Sequence, residues 1–191
     1  MANLPKLRKV DVNRPKKRKI LLLSDDLRLH SGVATMSKQF VLQTSDSFDW
    51  VQLGSALNHP DHGKVFDVSD DVIKETGNEY ASVKIYAHTG YGNPKVLREI
   101  IQIEKPDMIL HFTDPRFWGW LYAMEHEIRQ MIPIAYYAIW DCPPAPRWNL
   151  PSYASCDLIM GISKQSHQLH KDVLEYGDIE TEDITKEINL I

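Results

Sequence analysis

No stretch of this chain reaches the roughly 18–20 consecutive apolar residues that a membrane-spanning helix requires. The opening MANLPKLRKV carries positive charge with no apolar run behind it, so a secretory signal is not expected. Cysteine is scarce: Cys142 and Cys156 have neither metal-ligand spacing nor the density of a disulfide scaffold. These absences together predict a cytoplasmic protein with reduced, partly buried thiols. Three chemical signatures are also missing: the G-x-G-x-x-G of dinucleotide binders, a Walker-type loop and the G-x-S-x-G nucleophile elbow. His59-x-x-His62 and His167-x-x-His170 each offer two ligands but no completing set at site-like spacing, so no metal is expected.

What remains is a globular chain. Its 191 residues suffice for one domain and a sizeable core, and 43% are hydrophobic, with five Trp and eight Tyr. Charge is unevenly spread. Eight of the 22 Lys and Arg fall within the first 19 residues, against one acid, Asp11. The other 14 basic residues face 25 acidic ones, so the body stands near −11. A basic arm before an acidic domain is a solvated leader or a contact for an anionic membrane surface. The acidic body argues against nucleic acid, because binding phosphates needs a basic face.

Short apolar runs alternate with helical stripes. Residues 19–24 (KILLLS) read as a buried first strand, followed by a polar loop, 25–31, and a helix opening at Gly32. Residues 48–53 read as the second strand, and 54–78 as loop with one short helix. Strand three is 83–87, and Pro94 sits where a first helical turn tolerates proline. Val96, Ile100 and Ile103 stripe the helix that follows, which Pro106 stops. Strands four to six fall at 108–112, 134–140 and 157–161, with helices at 116–131 and 164–175. This alternation predicts an α/β, Rossmann-like, doubly wound and mostly parallel six-stranded sheet with helices on both faces. Ligands then gather beyond the carboxyl ends of the strands.

Three constellations fall at those ends. The first is the loop 25–32, where Gly32 at a helix N-terminus either lets backbone N–H groups approach a diphosphate or merely eases a turn. The second runs His111-Phe112-Thr113-Asp114-Pro115-Arg116, a polar site wall in which His111 is either a ligand contact or a satisfied core histidine. The third is Trp140-Asp141-Cys142-Pro143-Pro144, where Asp141 either binds a sugar hydroxyl or caps a turn. Phe117, Trp118, Trp120 and Tyr122 offer sugar-stacking rings, although their helical spacing assigns most of them to the core.

In order, KILLLSDD, HSGVATMSKQF, KPDMILHFTDP, IPIAYYAIWDCPPAP and SCDLIMGISKQSHQL resemble the N-terminal domain of GT-B glycosyltransferases, in particular family 4. The set covers most of residues 19–175. The resemblance implies transfer of a sugar from a nucleotide-sugar donor to an unknown acceptor, with no further cofactor. It places Ser31 and Gly32 at the donor diphosphate, and Thr113, Asp114, Trp140 and Asp141 along the acceptor and sugar pocket. Asp141 and Asp114 become the candidate catalytic pair, with His111, Arg116 and Ser163 among the substrate contacts. The chain departs from the pattern at Ser31-Gly32, at Thr113 and at Trp140. The resemblance divides it into a basic leader (1–18), an N-terminal acceptor-side domain (19–180) and a linker (181–191) toward a C-terminal domain that holds the nucleotide. The alternatives are a non-catalytic binding or assembly module of the same fold, and a sugar-nucleotide epimerase.

Overall fold

The computed structural model describes residues 14–177 and 185–187. The leader before residue 14, and residues 178–184 and 188–191 of the expected linker, lie outside the described residues. The strands are β1 (Arg18–Asp25), β2 (Phe48–Ala56), β3 (Val65–Asp67), β4 (Val83–Thr89), β5 (Met108–Phe112), β6 (Ile134–Ala138), β7 (Leu158–Gly161) and β8 (Thr185–Glu187). The helices are α1 (Gly32–Thr44), α2 (Ser69–Thr76), α3 (Pro94–Glu104), α4 (Gly119–Ala123), α5 (Glu125–Ile128), α6 (Leu150–Ala154) and α7 (Lys164–Tyr176), with 3-10 turns at Pro115–Trp118 and Arg147–Asn149. One sheet orders the strands β3-β4-β2-β1-β5-β6-β7-β8.

All six expected strands are present and parallel. Two short ones extend the sheet to eight. β3 pairs antiparallel with β4, inside the segment read as loop, and β8 pairs parallel with β7, inside the segment read as linker. Three residues leave too short a trace for apolar alternation to register.

β1 is apolar on both faces because both are covered. Leu21 and Leu23 enter a core with α3 to α7, while Ile20 and Leu22 enter another with α1 and α2. The parallel crossovers from β1 toward β4 run on one face, and the return from β4 to β5 and onward runs on the other. The expected helix over 116–131 is broken into three pieces. Asp114 caps a 3-10 turn led by Pro115, and the Met124 N–H turns back to the carbonyls of Leu121 and Tyr122. Strand β6 stops at Ala138, two residues short of the expected end, which turns Ile139 and Trp140 out of the sheet. Arg14 and Lys17 of the leader are anchored, the first on the Asp49 carboxylate and both on the Tyr80 carbonyl. No helix among the described residues is long and apolar enough to cross a membrane.

At the end of α3, the buried Glu104 carboxylate takes hydrogen bonds from Lys84 (2.9 Å), Tyr86 (2.8 Å) and Lys19 (3.0 Å). Burial alone raises its pKa; the three donors outweigh burial and hold it below the usual glutamate value. The folded state therefore gains stability from this charge above the unfolded pKa and loses it as pH falls through the depressed one. Glu104→Gln is expected to cost about 1–3 kcal/mol at neutral pH, since it leaves two lysines facing an amide. Urea midpoints measured from pH 7 downward should show the deficit shrinking in acid.

Candidate functional site

The sheet reverses its winding at β1. Successive strands step from β1 through β2 to β4 on one side and from β5 to β7 on the other, so the crevice beyond the carboxyl ends of β1 and β5 is the switch point of a doubly wound sheet. Pairing aligns Ser24 with Phe112, which sets the loop after Asp25 beside Thr113 and Asp114.

The β1 loop is built over a buried carboxylate. Asp26 is 0% exposed and accepts the Arg28 backbone N–H (2.9 Å), Arg28 Nε (3.0 Å) and Arg28 Nη2 (2.7 Å). His59 Nε2 lies 2.9 Å from Asp26 Oδ2, the oxygen that also accepts Arg28 Nη2, and His59 Nδ1 accepts the Asp61 N–H. Burial alone would raise the Asp26 pKa, but the Arg28 and His59 bonds hold it below the ordinary value. Gln52 completes the support, accepting Leu27 N–H and donating to the Asp25 carbonyl. A side chain at Gly54 would meet Asp26 at 2.9 Å, which explains a glycine inside a strand. The sequence singled out the loop 25–32 and His59 separately but not their union, nor Gln52 and Gly54, because these residues lie far apart along it.

Ser31 caps α1. Its hydroxyl accepts the Ala34 N–H (3.0 Å) and donates to Asp25 Oδ2 (2.7 Å). The Gly32 and Val33 amides have no acceptor among the described residues. A Cβ built on Gly32 meets nothing within 4 Å, so this glycine faces open space.

Across the crevice, the expected wall divides. His111 is a correction to the site reading: it is 0% exposed, with Nδ1 2.6 Å from the Tyr122 hydroxyl and Nε2 2.9 Å from Thr113 Oγ1. Thr113 is buried with it, and its carbonyl accepts the Tyr136 hydroxyl. Both support the wall from behind and present nothing to a ligand. Asp114 reaches the surface, but Arg116 Nε forks across its two oxygens at 2.9 and 3.0 Å. Those bonds hold the Asp114 pKa below its usual value, so it is an ionised partner of Arg116 and no proton acceptor at neutral pH.

A pocket of about 280 Å³ joins Asp114, Arg116, Trp140 and Asp141 with Tyr136, Ile139 and Asn149. Trp140 is fixed by its Nε1–H donating to the Cys142 carbonyl (2.6 Å) and by edge contact with Trp148. Asp141 is exposed, and its carboxylate makes no hydrogen bond or ion pair to a described residue. Asn149, 3% exposed, forms part of the lining and went unnoticed in the sequence, where it ends a proline-rich loop. Ser31 and Gly32 do not line this pocket; they lie one strand away at the same sheet edge. Ser163 stands farther off, at the end of β7, where its hydroxyl accepts the Ser166 N–H as the cap of α7. Trp118 is wholly buried and Trp120 mostly so, whereas Phe117 is exposed. Among the described residues no group of three or more His, Cys, Asp or Glu could hold a metal.

Burial pushes the His111 pKa down to about 3 and that of His170 down to about 4. An unfolded histidine takes its proton near 6.5, so between these values the unfolded chain binds more protons than the folded one. Stability must then fall with acid, by up to about 1.4 kcal/mol per pH unit for each histidine. His111→Gln, which retains hydrogen-bonding capacity toward Tyr122 and Thr113, should flatten the decline in urea stability between pH 6 and pH 4 (~one histidine's share).

No protein-family model matches the chain, and no curated protein matches it in sequence. Solved structures do. HepE of Anabaena, in complex with UDP and glucose, aligns at 14% identity with a TM-score of 0.53, over 90% of this chain and 44% of that one. The α,α-trehalose 6-phosphate synthase of Burkholderia multivorans aligns at 10% identity with a TM-score of 0.45, over 90% of this chain and 49% of that one. The chain therefore spans less than half the length of either. The likeness to HepE shows the fold: an α/β, mostly parallel Rossmann-like domain of the GT-B kind.

Proposed function

We propose that this domain is the acceptor-side half of a glycosyltransferase that moves a sugar from a nucleotide-sugar donor to a hydroxyl acceptor. One observation carries the reading. The open, glycine-bearing N-terminus of α1 and a ring-sized pocket with a carboxylate that pairs with no described residue stand at neighbouring strand ends across the switch point. The Gly32 and Val33 amides receive a diphosphate oxygen, helped by the positive end of α1. Asp141 orients the acceptor hydroxyl at the mouth of the pocket. Asp114 acts through Arg116, holding the guanidinium where it meets an oxygen of the substrate. The UDP and glucose bound to HepE support a nucleotide sugar as the ligand class.

In this reading a second domain closes over the crevice and supplies most of the positive charge that a departing diphosphate needs. A single helix terminus contributes about 0.3–2 kcal/mol, whereas even millimolar binding requires about 4 kcal/mol. Residues 1–191 alone are therefore expected to bind nucleotide sugars more weakly than millimolar and to transfer no sugar, while the chain joined to its second domain does both. In the joined protein, Gly32→Val should lower turnover at least about tenfold by blocking the backbone approach. The open space around Gly32 means that the fold tolerates the side chain. Lys171→Ala on α7 should leave turnover unchanged. Calorimetry of the isolated domain and transfer assays on the joined protein test the reading; micromolar binding by the first, or full activity of Gly32→Val, contradicts it.

A further inference from the structure

The loop after β4 holds a residue that the transferase reading has not used. Tyr91 lies between Gly90 and Gly92, both in the left-handed region at φ 75°. A side chain at Gly92 would meet Leu53 at 2.8 Å and Trp120 at 3.1 Å, so the loop must pass close over the sheet edge there. This course carries the Tyr91 ring across the ends of β2 and β1 to the far side of the crevice. There it stacks on Phe117, three residues beyond Asp114, with centroids 4.7 Å apart and planes at 11°. Trp118 meets it edge-on at 5.8 Å, and Trp120 Nε1–H binds its carbonyl at 3.2 Å. The ring is thus held by two aromatic neighbours and its backbone by Trp120.

Its hydroxyl is not. It forms no hydrogen bond with any described residue, and Phe117 beneath the stack is 52% exposed. Burial first, and the charges of Asp25 and Asp114 after it, raise the phenol pKa above its ordinary value. An immobilised aromatic pair with a spare O–H donor offers an apolar face and a polar handle together. A pyranose presents the matching pair, an apolar C–H face and hydroxyl oxygens that accept the O–H.

We propose that Tyr91 and Phe117 form a carbohydrate ledge at the β1–β5 crevice, where a pyranose ring lies against the aromatic pair and takes a hydrogen bond from the Tyr91 hydroxyl. The assignment rests on the transferase reading only for the identity of the ligand as a sugar.

Saturation-transfer NMR of the 191-residue chain with methyl α-D-glucopyranoside tests it without requiring turnover. The expected result is saturation of the pyranose C–H protons at an affinity of roughly tens of millimolar, together with shifts of the Gly90 and Gly92 amides. Tyr91→Phe keeps the stack and should weaken binding about two- to tenfold, the range of one hydrogen bond. Phe117→Leu should abolish the saturation, and Met131→Ala, on an exposed turn elsewhere, should leave it intact. No saturation at all, or the same affinity in Tyr91→Phe and Phe117→Leu, overturns the ledge. The two readings fail separately. Sugar bound here by a joined protein that transfers nothing sinks the transferase and spares the ledge, whereas transfer unaffected by both substitutions does the reverse.

Discussion

Right-handed crossovers force a parallel sheet to put its helices on one face when the strands step one way and on the opposite face when they step back. β1 is where this chain turns round, and the rest of the functional edge follows from that. α1 leaves β1 toward β2 on one face, and α3 arrives at β5 on the other, so neither helix covers the gap between the two strand ends and only the Tyr91 loop reaches across it. A crevice opens there with a helix N-terminus on one bank and a capped 3-10 turn on the other.

Holding that crevice open needs polar groups inside the protein. The β1 loop stands on the Asp26 carboxylate, which is removed from water and compensated by Arg28 and His59. The opposite bank stands on the His111 imidazole, kept neutral by burial and satisfied by Tyr122 and Thr113. Burying such groups costs least when their bonds are made, as they are at both of these. Each holds a loop in place, and above them the Gly32 amide, the Asp141 carboxylate and the Tyr91 hydroxyl have no partner among the described residues.

Most of the fold was legible in the sequence. Five- to seven-residue apolar runs such as KILLLS and MILHF, too short for a helix, read as strands buried on both faces, and Pro94 and Pro106 mark the ends of α3. The three-residue strands β3 and β8 and the broken segment after Asp114 were not legible, because pairing and capping at that scale leave no periodicity. The candidate site was half legible. Asp114, Arg116, Trp140 and Asp141 announce themselves as polar or bulky residues at strand ends, and they share one pocket. His111 and Thr113 carry the same local signal yet point inward, since alternation along β5 decides their direction and short buried strands alternate poorly in hydropathy. Asn149 and Tyr91 gain meaning only from loops that the chain folds back over the sheet edge.

In the proposed two-domain transferase, the open terminus of α1 meets the donor diphosphate. Amide hydrogen exchange in the joined protein, with and without saturating nucleotide sugar, measures that contact at the atoms concerned. The Gly32 and Val33 amides, which have no protein acceptor among the described residues, are expected to gain protection of about tenfold or more when the donor binds. Unchanged exchange at both amides, with protection confined to other strand ends, would contradict it.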